Sequence, residues 1–107
     1  MKPDAVFIAT GSTPIVPDIP GVEKENVVTA TDLLLGRRKV GEFVVVLGGG
    51  LVGNEVALYL AQDGKKVTVV ARHDVCSDMF WSSQMHLMKL LADAQVEILK
   101  YTQVDAI

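Results

Sequence analysis

Gly48, Gly50 and Gly53 stand at the spacing that lets a backbone wrap closely around a phosphate. Residues 43–47, Phe43-Val44-Val45-Val46-Leu47, form a β-branched apolar run directly before them, and a helical pattern starts directly after, at Leu51. A G-x-G-x-x-G pattern alone is weak, because any tight strand-to-helix turn favours glycine; the strand before and the helix after give it meaning. Gly48 permits the turn, Gly50 lets the backbone approach a pyrophosphate with no Cβ in the way, and Gly53 lets the helix pack tightly on the strand. The amides of Leu51 and Val52, with the positive end of the helix dipole behind them, are placed to receive the phosphates.

The end of the next strand, about 20 residues past such a turn, is where the adenosine ribose is read. A carboxylate there accepts hydrogen bonds from the ribose of NAD, whereas a nearby Arg pairs with the 2′-phosphate of NADP. This chain has Ala71-Arg72-His73-Asp74. The strand end lacks a carboxylate, Arg72 can make a bidentate contact with phosphate, and His73 is a second donor. The residues therefore favour NADP(H) over NAD(H), while Asp74, within reach of a ribose hydroxyl, keeps NAD(H) open.

The elements that position these residues follow from hydrophobic patterning. Residues 4–10, Asp4-Ala5-Val6-Phe7-Ile8-Ala9-Thr10, are almost wholly apolar and predict a strand buried on both faces. Pro14, Pro17 and Pro20 then impose an extended, polyproline-like connector over residues 12–21. Val27-Val28 suits a short strand, and Thr31 suits the N-cap of a short helix over residues 32–35 closed by Gly36. Residues 51–63 predict a helix with Val52, Val56, Tyr59 and Leu60 on one face, ended by Gly64. Residues 67–71 predict a second strand, and residues 80–92 a second helix with Phe80, Met85, Leu87, Met88 and Leu91 inward. Residues 96–99 predict the third strand, and residues 104–107 begin another element. This order defines an α/β fold: a Rossmann-like βαβαβ parallel sheet with helices on both faces, truncated before its last strands. The open edge beside residues 43–47 is expected to take residues 5–9 as a fourth parallel strand, or to be a place where copies of the chain could pair as a homo-oligomer.

Bulk properties narrow the function. Half of the 107 residues are hydrophobic, enough for one small core, and ten Lys and Arg against thirteen Asp and Glu give a net charge of -3, so nucleic acid is not an expected partner. The single cysteine, Cys76, excludes an internal disulfide, a Cys-x-x-Cys pair and a cysteine metal cage within the chain, and no metal ligands or catalytic residues are assigned. No stretch approaches the roughly 18 to 20 apolar residues of a membrane span, so no membrane partner and a cytoplasmic location are expected. A start on a strand and a stop at Asp105-Ala106-Ile107 without a polar tail suggest a segment of a longer protein.

The chain resembles the flavoproteins with two dinucleotide-binding domains that include the pyridine nucleotide-disulfide reductases. Ala9-Thr10-Gly11-Ser12-x-Pro14-x-x-Pro17-x-Ile19-Pro20-Gly21 is similar to the family's "ATG" segment, where the chain leaves the FAD-binding domain, and Gly48-Gly49-Gly50-Leu51-Val52-Gly53-Asn54-Glu55 to the second fingerprint that follows it. The resemblance implies that residues 1–21 are the strand and linker from the edge of the FAD-binding domain and residues 22–107 the NAD(P)H-binding domain. It also implies cofactor contacts at Thr10, Gly11 and residues 48–53, including Gly49, and at Glu55 near the nicotinamide carboxamide; as a first-turn acid favoured by the helix dipole, Glu55 needs no ligand at all.

Lys2-Pro3-Asp4-Ala5-Val6 and Thr29-Ala30-Thr31-Asp32-Leu33-Leu34-x-Gly36 are most similar to the NADH:flavin oxidoreductases of the old-yellow-enzyme type, such as the 2-enoate and 2,4-dienoyl-CoA reductases. That resemblance implies a parent protein with FAD, FMN on a barrel domain and a 4Fe-4S cluster, in which this chain positions NAD(P)H for hydride transfer to FAD and is not catalytic alone. The trimethylamine dehydrogenase branch implies the alternative, a module that holds ADP without redox turnover. Arg72-His73 resembles the glutathione-reductase form of the specificity loop, but a further Arg of that form falls where this chain has Asp78, and the enoate-reductase branch carries Glu at the position of Ala71. Cys76, His86, Trp81 and the methionines are read as packing or surface residues.

Overall fold

The computed structural model describes every residue of the chain except Asp78. In chain order the elements are α1 (Ala30–Leu34), β1 (Phe43–Leu47), α2 (Leu51–Gln62), β2 (Lys66–Val70), α3 (Trp81–Asp93) and β3 (Glu97–Leu99). The strands form one parallel sheet in the order β1-β2-β3. Parallel neighbours cannot be joined by a tight turn, so α2 and α3 serve as the crossovers. This is the βαβαβ unit expected from the sequence.

Register decides which residues enter the core. Val44 pairs with Val67, and Val46 with Val69, which in turn pairs with Ile98, placing all five on one face. Against that face pack Val56, Ala57 and Leu60 of α2 and Leu87 and Leu91 of α3. Both crossovers advance in the same direction across the sheet, and right-handed connections then lay both helices on the same side. The expectation of helices on both faces is corrected accordingly: among the described residues they cover one. On the opposite face Phe43 and Val45 are 76% and 62% exposed. The Lys66 ammonium lies 5.3 Å from the Phe43 ring centroid there, and Thr68 Oγ1 donates to Glu97 Oε2 at 3.0 Å.

Several local expectations shift. Residues 4–10 form no strand and are exposed, and the sheet has no fourth strand beside β1 among the described residues, which overturns the proposed pairing of residues 5–9. β-propensity expresses the fit of a side chain to a half-buried pleated surface, and nothing in this chain covers Val6, Phe7 or Ile8. Val27-Val28 is likewise not a strand. The cap of α1 is Thr29 rather than Thr31: Thr29 Oγ1 accepts from Asp32 N at 3.1 Å and donates to Asp32 Oδ2 at 3.0 Å. Only Thr29 has a carboxylate three positions on to complete that exchange, so the helix starts two residues earlier.

On α2, Val56 and Leu60 point inward as expected, but Val52 and Tyr59 are exposed and Asn54 and Ala57 take the inward positions. On α3, Leu87 and Leu91 are buried and Met88 packs on the core, whereas Phe80 (the N-cap), Trp81 and Met85 are exposed. The inward stripe of α3 is thus narrower than the periodicity suggests. Gly64, with φ of +84°, ends α2 as expected, its amide bonding Ala61 O at 3.0 Å while Lys65 N bonds Leu60 O at 3.1 Å. At the far end of the chain, Ile107 N donates to Pro20 O at 2.8 Å, which ties residues 104–107 to the proline linker, and they form no helix or strand here.

Two substitutions test this one-sided sheet by chemical unfolding. Leu91→Ala, in the buried face, is expected to cost about 2–5 kcal/mol. Val45→Thr, on the open face, is expected to change stability by less than about 0.5 kcal/mol; a cost near that of Leu91→Ala would show that this face is covered.

Candidate nucleotide-binding site

The site is built at the carboxyl ends of β1 and β2. Gly48 leaves β1 with φ of +123°, a conformation that favours glycine, and its amide donates to Val70 O at 2.9 Å, so the turn stays stitched to the end of β2. A Cβ on Gly53 would strike the Gly48 carbonyl, which is the close helix-to-strand approach expected of that position. A Cβ on Gly50 would meet nothing within 4 Å, so the space in front of the turn is open to a ligand. Gly49, given no special conformational task by sequence reasoning, has the most crowded side-chain surroundings of the turn: a Cβ there would lie 2.5 Å from Ala71 Cβ and 2.8 Å from Val75 Cγ1.

The first backbone bond of α2 is Asn54 N to Gly50 O at 3.1 Å. The amides of Leu51 and Val52 precede it and have no carbonyl one turn back within the helix. Both residues are exposed at the mouth of the turn, where the helix dipole favours an anion.

Asn54 was not singled out by sequence reasoning, and the structure makes it central. Its side chain is fully buried, and Nδ2 lies 2.8 Å from Gly49 O, 2.9 Å from Gly50 O and 3.2 Å from Cys76 Sγ. Cys76, with φ of +51°, adds its own amide to Gly49 O at 2.8 Å. The two turn carbonyls are thereby held toward the core. The Asn54 Oδ1 atom has no hydrogen-bond partner among the described residues. One signal was available in the sequence: Asn54 is in helical phase with Ala57 and Ala61, which makes it a polar residue on an inward stripe.

A groove of about 890 Å³ runs from the glycine turn to the end of β2. Gly48, Gly49 and Gly50 line one end and Arg72, His73 and Asp74 the other, with the linker near Pro17 and the tail near Gln103 as walls. The structure thus brings the turn and the specificity loop together. Arg72 and His73 are exposed, and among the described residues neither makes an ion pair. Asp74 is engaged: Oδ1 accepts from Lys100 Nζ at 2.7 Å and from Val75 N at 2.8 Å. The Lys100 contact, with the Val75 amide second, holds the Asp74 carboxyl below the ordinary 3.8, and Asp74 raises Lys100 above 10.5. Both groups are therefore charged throughout the neutral range. The pair weakens only as pH falls through the lowered Asp74 value or rises through the raised Lys100 value.

Thr10 and Gly11 lie on the exposed amino-terminal segment and are not part of the groove wall, and Glu55 is exposed on α2 outside it. His86 and Trp81 border a separate shallow apolar depression on α3. The comparison made at Asp78 lies outside the described residues. Among those residues no helix is long and apolar enough to cross a membrane.

A parallel α/β unit whose glycine turn and Arg72–Asp74 loop share one groove, with Leu51 and Val52 beside it rather than among its lining residues, is a Rossmann-like architecture. The whole chain, residues 1–107, matches the family described as pyridine nucleotide-disulphide oxidoreductase, and it belongs to that family. Similar proteins include an NADH oxidase of Thermoanaerobacter brockii, 48% identical over an alignment of 94 residues that covers 83% of this chain and 14% of that protein. A cinnamate reductase of Clostridium sporogenes is 52% identical over 67 residues, 63% of this chain and 10% of that protein. Among solved structures, a 2-naphthoyl-CoA reductase superposes with a TM-score of 0.88 at 30% identity, over 92% of this chain and 15% of that one. The HOCl-induced flavoprotein disulfide reductase RclA of Escherichia coli superposes with a TM-score of 0.76 at 30% identity, over 94% of this chain and 23% of that one. The chain therefore spans a small part of the length of each.

The glycine turn makes a sharp distinction testable. Gly50→Ala is expected to leave unfolding within about 0.5 kcal/mol of wild type while weakening nucleotide binding, because its Cβ enters only the open space. Gly53→Ala is expected to destabilise the fold itself by about 1–3 kcal/mol. Parallel unfolding and nucleotide titrations read both; unimpaired binding by Gly50→Ala would mean that no phosphate approaches Gly50.

Proposed function

We propose that this chain is the pyridine-nucleotide site of a flavin-dependent oxidoreductase, holding NADPH in preference to NADH for hydride transfer to FAD in a neighbouring domain. The observation that carries the reading is a single groove that joins the Gly48–Gly50 turn to Arg72 and His73, with the space in front of Gly50 open. The residues present fit such a ligand: the space before Gly50 is open, and the exposed side chains of Arg72 and His73, both hydrogen-bond donors, follow the end of β2. The nicotinamide supplies the hydride chemistry when bound. The part of this chain is to fix the pyrophosphate against the Leu51 and Val52 amides, to hold a 2′-phosphate on Arg72 and His73, and so to aim the rest of the nucleotide out of the groove.

The neighbours in this reading are the FAD-binding and FMN-barrel domains of a longer protein with a 4Fe-4S cluster, and the acceptor is an activated alkene. The similarity to a cinnamate reductase, whose named substrate carries an alkene conjugated to a carboxylate, supports that acceptor class.

Replacing Arg72 with Ala tests the ligand. NADPH binding should weaken roughly ten- to a hundredfold, the worth of a charge-assisted phosphate contact, while NADH binding stays unchanged. An unaltered NADPH-to-NADH ratio would remove Arg72 from the site. Equal affinity for ADP and the complete dinucleotides would favour nucleotide holding without redox turnover.

A further inference from the structure

The specificity loop contains a charge that opposes the ligand just proposed. Asp74 lines the same groove as Arg72 and His73 and stands two positions from Arg72, so their Cα atoms lie within about 7 Å of each other. A bare carboxylate at that separation, well inside a Debye length of ~8–10 Å, would repel a 2′-phosphate and would offer an acceptor to an unphosphorylated ribose. Both effects favour NADH. The carboxylate is not bare, however. Lys100, the residue after β3, reaches back to it across the end of the sheet with Nζ 2.7 Å from Oδ1. The Val75 amide donates to the same oxygen at 2.8 Å. Lys100 is not among the residues that line the groove, whereas Asp74, Arg72 and His73 are.

We propose that Lys100 is a specificity-determining residue that acts through Asp74, neutralising a carboxylate in the ribose-reading loop so that the groove accepts a 2′-phosphate. The inference rests on the NADPH reading above and adds a residue that the strand-end rule does not contain. Lys100 is a positioning residue: it sets the charge that the nucleotide meets and does not touch the nucleotide. The β3 end thereby takes part in a choice ordinarily assigned to the β2 end alone.

The experiment is a double-mutant cycle on the full chain, with dissociation constants for NADPH and NADH measured for wild type, Lys100→Met, Asp74→Asn and the double variant at low and high salt. Lys100→Met should lower the NADPH-to-NADH preference roughly three- to tenfold, the size expected for one partly screened charge, and this loss should shrink at high salt. In the Asp74→Asn background the same substitution should change nothing, because no carboxylate remains to be neutralised. Lys100→Arg should keep the wild-type ratio. A purely structural role for Lys100 would weaken both nucleotides alike and would overturn the inference. A Lys100→Met effect of equal size with and without Asp74 would overturn it too, by showing direct contact with the ligand. If Arg72→Ala shifts the ratio and Lys100→Met does not, this inference alone fails; if neither shifts it, the NADPH reading fails with it.

Discussion

Helix α2 can lie where it does only because no side chain separates Gly53 from the Gly48 carbonyl. That contact brings the helix amino terminus onto the end of β1, and the rest of the site is referred to it. With the helix close, Asn54 reaches the carbonyls of Gly49 and Gly50 and draws Cys76 beneath the turn. Gly49 must then be bare, because Ala71 and Val75 fill the space its Cβ would need. The glycines therefore do different work. Two make room within the protein, one supplies an unusual backbone angle, and Gly50 leaves space that the protein does not use.

The unit carrying this turn was largely legible in the sequence, and the reason is local. β1 and β2 are runs of β-branched residues whose preference agrees with their packing, and Gly64 ends α2 by a backbone angle that few other residues adopt. The errors arise where the decisive partner is distant or missing. Residues 4–10 have the composition of a strand but no surface to pair with or pack on. Val52, Tyr59, Phe80 and Met85 have the chemistry of core residues and the wrong phase for a sheet covered on one side. Thr29 and Thr31 are alike as cap residues, and what separates them is Asp32, three positions after Thr29, which exchanges hydrogen bonds with it.

The candidate site divides in the same way. The glycine spacing and the Arg72-His73 pair could be read because each answers to chemistry within a few positions of itself. Asn54 was legible only as a polar residue on an inward stripe, and its role needs the Cys76 loop, which arrives from beyond β2. Lys100 was not legible, since its tie to Asp74 depends on β3 pairing beside β2. Interactions closed by the sheet order are invisible until that order is known.

The position of each strand also sets how firmly the two halves of the groove are held. β2 is hydrogen-bonded on both sides, and just past it Ala71 donates to Leu99 O and accepts from Thr102 N, both at 2.9 Å. Among the described residues β1 has a neighbour on one side. The Arg72–Asp74 loop therefore follows the strand paired on both sides, and the glycine turn follows a strand at the margin of the described sheet. A nucleotide bound as proposed would meet a more firmly held wall at Arg72 than at the glycine turn.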